Sequence, residues 1–221
     1  MLRAMRTAAT GMKSQQLNVD NIANNLANVN TNGFKKSRVN FQDLFYQQTG
    51  TVGKAKASGI SAPAGLQIGY GANAVTTQRL FTQGELMETA NPTDMAIMGD
   101  GFFRLLTPNG DSVYTRDGNF SISGDGQLVS SSGYVLDPGI VIPEDTQEIG
   151  ISEDGTVSVT VAGDPYPQIL GEVELVRFVN PAGLKAQGQN VYTETAISGE
   201  AIPGMPGSSI CFFRPAWRPP Q

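Results

Sequence analysis

The feature that most constrains this chain is an apolar repeat in its first 30 residues. Met5, Ala8, Met12, Gln15, Val19, Ile22, Leu26 and Val29 follow one another in alternating steps of three and four. This is an a/d heptad with Gln15 as its one polar member, and such a seam buries itself against another helix rather than against a sheet. The spacing predicts a helix over about residues 3–29, roughly 40 Å long at 1.5 Å per residue. Asn30-Thr31-Asn32-Gly33 follows, and Asn and Gly favour the left-handed backbone that ends a helix. No later stretch carries a matching repeat. The a/d-only pattern is narrower than the apolar face of an ordinary core helix. A long sticky helix without an internal partner points to an assembly subunit rather than a self-contained enzyme.

Composition narrows the function classes. The 221 residues suffice for one or two domains with a real core. Charged residues make up 16% and the net charge is −5, which argues against a nucleic-acid partner, since phosphate binding needs a basic face. There is no His, which removes the usual general base, zinc ligand and pH switch together. No catalytic residue, cofactor site or metal site is expected. The single Cys, Cys211, excludes an internal disulfide. Arg3, Arg6 and Lys13 near the start flank no continuous apolar stretch and no small-residue cleavage site, so no cleaved signal peptide is expected. No window approaches the roughly 18 apolar residues of a membrane span, and no membrane insertion is expected.

Along the chain four regions differ in character. Residues 1–45 hold the helix and an extension, Phe34 to Phe45, that mixes Phe34, Val39, Phe41, Leu44 and Phe45 with Lys35, Lys36 and Arg38. Residues 46–72 are a polar, glycine-rich insertion without core periodicity, a long loop or extended arm. Residues 73–207 read as short strands and tight turns. Turn signals are Asp100-Gly101, Asn109-Gly110, Asp117-Gly118, Asp125-Gly126, Ser132-Gly133 and Asp154-Gly155. Strand-like runs lie at Phe102–Leu106, Ser112–Thr115, Asn119–Ser123, Gln127–Val129, Val135–Leu136, Thr156–Val161 and Glu172–Val179. Asn109-Gly110 and Asp154-Gly155 predict type I′ hairpins, which need positive φ at both central residues. Residues 208–221 are an atypical tail with Cys211, Phe212-Phe213, Trp217 and three prolines. The expected fold is mainly β with a long N-terminal α-helix: a compact antiparallel β domain plus a coiled-coil-type terminal helix.

Several local patterns invite a chemical reading and are better explained otherwise. Thr115-Arg116-Asp117-Gly118 reads as a surface-turn ion pair rather than an active-site pair. Gly69-Tyr70-Gly71-Ala72-Asn73-Ala74 fits a dinucleotide fingerprint formally but lacks a following helix and a βαβ frame. Gly124-Asp125-Gly126 lacks the spaced carboxylates of a calcium loop and reads as a turn. Cys211 is assigned no role. A β-rich carbohydrate hydrolase would need two paired acids in a cleft, and only scattered turn Asp and Glu are present. A secreted β protein on a coiled-coil stalk is a third reading.

Four stretches together decide among these. Asn21 to Lys35 (NIANNLANVNTNGFK) closely resembles the N-terminal signature of the bacterial flagellar rod and hook proteins. Asp94 to Phe103, Tyr114 to Phe120 and Gly124 to Val129 look like the same family, in the expected order. The signature residues are Asn21, Asn24, Asn25, Asn28, Thr31, Gly33 and Phe34. Tyr46 to Gly65 followed by Gly65-Leu66-Gln67-Ile68-Gly69 is similar to the insertion of distal-rod members. Proximal rod proteins and the usually longer hook proteins are the alternatives within the family.

The resemblance implies a structural, non-enzymatic subunit that self-assembles. It would be exported unfolded by the flagellar type III apparatus without a cleaved signal. It would polymerise into the drive shaft crossing the periplasm, between proximal rod and hook proteins and inside the P- and L-ring bushing. The terminal helices would form the inner layer through Met5, Ala8, Met12, Val19, Ile22, Leu26 and Val29, and the β domain the outer layer. Members end in a C-terminal amphipathic helix, and here residues 208–221 stand in its place. A frameshift or premature stop after Gly207, giving a truncated, assembly-impaired chain, is the expectation. Burying a large apolar side chain contributes roughly 1.5–3 kcal/mol, and a lone helix in water is marginal. Unpaired, residues 1–33 are expected to fray, dock on the β domain or pair with another chain.

Overall fold

The computed structural model describes residues 2–48, 67–87, 89, 91–152, 154–162 and 166–204, and the backbone of 211–213. The fold is mainly β, with antiparallel sheets and one long N-terminal helix, as the sequence leads one to expect. The chain divides into two compact units. The first comprises Met1–Val29 and Lys36–Leu80, the second Asn30–Lys35 and Phe81–Gln221.

In the first unit, helix α1 runs over Leu2–Ala27. It stops slightly short of the end of the apolar repeat. The backbone N–H and the side-chain Nδ2 of Asn28 both donate to the Asn24 carbonyl, at 3.2 and 2.9 Å. Such local side-chain bonding competes with helix propagation. Val29 N–H then bonds the Leu26 carbonyl, tightening the last turn. Four strands follow: β1 (Ser37–Asp43), β2 (Tyr46–Gln48), β3 (Gln67–Gly69) and β4 (Ala72–Arg79). Antiparallel pairing of β1 with β4 and of β2 with β3 makes one ribbon. Leu44 N–H to the Gly71 carbonyl and Tyr70 N–H to the Phe45 carbonyl link its two parts. A register shift at Asn40/Phe41 marks a bulge. The ends of the 46–72 insertion are therefore paired strands, while its middle, 49–66, lies outside the described residues.

The second unit holds β5 (Ala96–Met98), β6 (Phe102–Leu106), β7 (Ser112–Thr115), β8 (Phe120–Ile122), β9 (Leu128–Ser130), β10 (Val135–Leu136), β11 (Thr146–Ile151), β12 (Thr156–Val161), β13 (Gln168–Glu172), β14 (Leu175–Arg177), β15 (Lys185–Gly188), β16 (Val191–Thr193), β17 (Ile202–Gly204) and β18 (Cys211–Phe213). Its main sheet has the order β15-β16-β7-β6-β10-β9-β8, with β14 also on β6 and β17 on β14. A three-stranded sheet has the order β11-β12-β13, and β18 lies antiparallel to β5. The rest of the 208–221 tail, Trp217 included, lies outside the described residues.

Period-two alternation builds two cores from the same strands. Phe103 and Leu105 of β6 and Val113 of β7 point into a cluster with Leu128, Leu136 and the β11–β12 residues Ile149, Ile151, Val157 and Val159. Phe102 and Tyr114 point to the other face, with Val176, Phe178 and Tyr192. There the rings meet edge to face, Tyr114 on Phe178 at 4.8 Å and Phe102 on Phe178 at 5.6 Å between centroids. Both clusters lie wholly in the second unit. Among the described residues, Ser14 is the one fully buried residue of the first unit.

The turn positions fall where the glycines predict, but the turn type does not. Gly110 and Gly155 have φ of 89° and 80°, whereas Asn109 and Asp154 are not in the positive-φ region, so neither turn is type I′. In both, the Gly N–H bonds the residue three back (Thr107 and Ser152) and that residue's N–H bonds the one after Gly (Asp111 and Thr156). At Thr107 to Asp111 this is a type I turn closed by a left-handed glycine and a bulge. The same five-residue loop recurs at Ser123 to Gln127 and Ser130 to Tyr134. Among the described residues, a turn with two positive-φ central residues lies at Gln189-Asn190, between β15 and β16 (φ 52° and 58°).

Candidate functional site

The candidate site is α1, which presents two faces of opposite character. Met5, Met12, Val19, Ile22, Leu26 and Val29 of the apolar seam are each 55–70% exposed, and Ala8 and Gln15 are exposed with them. Six large apolar side chains in one stripe form a patch that soluble monomers rarely leave open. The face turned inward is small and polar. Thr7, Thr10, Gly11, Asn18, Asn21, Asn25 and Asn28 are half-buried and Ser14 is buried. These residues share the three-four spacing of the seam, about 110° away around the helix at 100° per residue.

The ribbon determines which face turns inward. A Cβ on Gly71 (φ 115°) would sit 2.1 Å from Thr10 Oγ1 and 3.6 Å from Thr7 Cα. Only glycine allows that approach. This is the physical reason for a glycine in the stretch that mimics a dinucleotide fingerprint. Arg3 Nη1 donates to Gln47 Oε1 at 2.5 Å, and Tyr70 Oη reaches the same oxygen at 3.1 Å. Towards the helix C-terminus, Asn21 and Asn25 both donate Nδ2 to the Ser37 carbonyl at 2.8 Å. Asn25 Oδ1 accepts Ser37 N–H at 3.0 Å, and Asn21 Oδ1 accepts the Ser37 hydroxyl at 2.5 Å. These asparagines are therefore bound within the chain rather than merely solvated, as a polar helix face by itself would suggest.

Of the other signature residues, Asn24 and Asn28 lie in the first unit, and Thr31, Gly33 and Phe34 in the second. Gly33 has φ 70°, and a Cβ there would stand 2.8 Å from Asp117 N, backbone against backbone. Asn190 Nδ2 donates to the Asn32 carbonyl at 2.7 Å, and Lys35 Nζ to the Thr82 carbonyl at 2.8 Å. Phe34 N–H bonds the Thr31 carbonyl, closing a turn at Thr31–Phe34. Burial, and then the nearby Arg116 charge, lower the Lys35 amine to about 8. Burial raises the Asp117 carboxyl above its usual range, opposed by bonds from Asn119 and Asn190. Asn24 contributes its carbonyl, already named, to Asn28.

The Arg116–Asp117 turn corrects the sequence reading. It is not an ion pair. Arg116 Nη2 donates to the Gly99 carbonyl and to Gln83 Oε1, and its guanidinium lies 5.8 Å from the Phe102 ring centroid. Burial lowers the Arg116 pKa. Asp117 turns to its own backbone, accepting Asn119 N–H at 3.2 Å. Gly118 is required because a Cβ there would lie 1.5 Å from the Met95 carbonyl oxygen. Among the described residues, no group of three His, Cys, Asp or Glu could hold a metal, and no helix is long and apolar enough to cross a membrane.

Sequence reasoning did not find Thr7, Thr10, Ser14, Ser37, Gln47 or Gly71. The polar residues on α1 were readable by the same period as the seam. Ser37 and Gly71 carry no local signal of a helix contact.

Residues 5–35 match the flagella basal body rod protein family and residues 96–159 the flagellar hook protein FlgE/F/G D1 domain. The flagellar basal-body rod protein FlgG of Borreliella burgdorferi is 50% identical over 210 residues, 94% of this chain and 79% of that protein. The chain belongs to the flagellar basal-body rod protein family. The Caulobacter vibrioides FlgG is 46% identical over 93% of this chain and 80% of its own length. The flagellar hook protein FlgE of Helicobacter mustelae is 38% identical over 62% of this chain but only 30% of its own length. The rod match holds α1 from Met5 on, with Asn21 and Asn25 but not their partner Ser37, and the Gly33 turn; the D1 match holds β5 to β11 and most of β12.

Proposed function

We propose that this chain is a structural subunit of the flagellar distal rod, self-assembling into the rigid shaft that carries motor torque to the hook. The exposed Met5–Val29 seam carries the reading, because a helix that turns its polar face to its own chain keeps its apolar face for other helices. Similarity over 79% of the Borreliella burgdorferi FlgG supports the rod over the hook, since the hook match covers 30% of that protein. In this reading Met5, Ala8, Met12, Val19, Ile22, Leu26 and Val29 are the assembly interface. The role is mechanical and no catalysis belongs to it. Residues 1–45 are the polymerisation core, 46–72 an arm that braces neighbouring subunits, and 73–207 the outer domain. The partners are further copies of the chain, proximal rod and hook proteins at the two ends, and the surrounding P- and L-rings. The subunit reaches the periplasm through the flagellar type III apparatus.

Sedimentation and electron microscopy of the purified protein across a concentration series test this. Filaments or oligomers above a threshold concentration are the expected result. A monomer over the whole soluble range, together with absence of the chain from isolated basal bodies, would overturn it.

A further inference from the structure

We infer that Asn21, Asn25 and Ser37 form a clamp that sets the roll and register of α1 on its ribbon and so decides which helix face is offered for assembly. The three are positioning residues. The last step rests on the rod reading; the clamp itself does not.

The geometry is that of a surrogate strand. Asn25 accepts the Ser37 N–H at 3.0 Å and donates to the Ser37 carbonyl at 2.8 Å, as the peptide of a neighbouring strand would. Asn21 takes the second lone pair of that carbonyl at 2.8 Å and accepts the hydroxyl at 2.5 Å. Every hydrogen-bonding group of Ser37 is thereby engaged. Ser37 opens β1 opposite Arg79, at the end of the ribbon away from β2 and β3. Asn21 and Asn25 lie one turn apart and straddle it. A shift of α1 by one residue turns the helix by about 100° and breaks all these bonds together.

The second fixed point is Gly71 against Thr7 and Thr10. Thr10 and Asn25 are about 22 Å apart along the helix axis at 1.5 Å per residue, so the two contacts define tilt as well as register. The alternative packing, with the seam buried on the ribbon, would leave both carboxamides and the Ser37 backbone without these partners. Unpaired polar groups penalise that arrangement. The clamp thus keeps the subunit from consuming its own apolar seam.

The test uses the full chain with Cys211→Ser, carrying Lys13→Cys and Gln42→Cys as spin-label sites on α1 and β1. The distance distribution of the unassembled subunit is read by pulsed electron resonance. A single narrow distance is expected in this background and in Ser37→Thr, which keeps the N–H, the carbonyl and the hydroxyl. Asn21→Ala/Asn25→Ala is expected to broaden the distribution and raise the assembly threshold at least tenfold, with Ser37→Thr leaving the threshold unchanged. Asn25→Asp, which keeps the side-chain shape but sets a carboxylate oxygen against the Ser37 carbonyl, is expected to broaden it as well. A narrow distance retained in both Asn variants, or a broad one in the background chain, would overturn the clamp. A narrow distance that broadens as stated, in a chain that never assembles, would uphold the clamp and overturn the rod reading.

Discussion

Truncating two seam residues separates folding from assembly. Ile22 and Leu26 are 55% and 70% exposed in the subunit. Cutting each to Ala removes about three methylene equivalents, worth roughly 0.8 kcal/mol apiece when fully buried. Only the exposed share is left to be buried on assembly, so Ile22→Ala/Leu26→Ala together cost about 3 kcal/mol per subunit in the polymer. At about 1.4 kcal/mol per tenfold, the assembly threshold rises by about two orders of magnitude. The free subunit should barely respond, because both cores lie in the second unit and surface substitutions stay within about 0.5 kcal/mol. Pelleting across a concentration series reads the first quantity and urea denaturation of the unassembled protein the second. An unchanged threshold, or a large fall in subunit stability, would refute the reasoning.

Three further outcomes follow from the second unit. Phe103, wholly buried with its ring 5.1 Å from Phe120, should cost about 3–5 kcal/mol when cut to Ala, read from the urea midpoint. Gly33→Ala forces a left-handed φ and a Cβ against the Asp117 backbone; a loss of at least about 1–2 kcal/mol and faster amide exchange over residues 30–35 are expected. Lys35 stands at about 8 against an ordinary 10.5, so between these values the unfolded chain holds a proton that the folded one has lost. Stability should therefore rise with pH across that window and be lost as pH falls through about 8. Lys35→Met should flatten the rise in urea midpoints measured on either side of the window.

The seam was readable because its period is local and its residues are apolar, the contrast that pattern reading weighs most. Strands at Phe102–Leu106, Ser112–Thr115, Val135–Leu136 and Thr156–Val161 were readable in full, bounded by glycine turns and dense in β-formers. The β1–β4 ribbon was not, because its strands are polar and a bulge breaks their alternation. The turn at Gln189-Asn190 contains no glycine at its centre, so its two positive φ angles were invisible. At Asn109-Gly110 and Asp154-Gly155 the dipeptide marks the turn but does not say which residue turns left-handed. The Asn21–Asn25–Ser37 contacts depend on how a helix meets a strand 12–16 residues away, which no local window contains.

The central claim is that the Met5–Val29 seam is buried between subunits of the rod. A photo-crosslinking amino acid at Ile22, introduced into the protein as the source cell makes it, tests this in isolated basal bodies. The account predicts that the chain is found in the rod fraction and that irradiation joins Ile22 to neighbouring copies, while a crosslinker at exposed Gly124 does not form the same product. A chain absent from basal bodies, or one whose Ile22 reacts only within its own subunit, would contradict it.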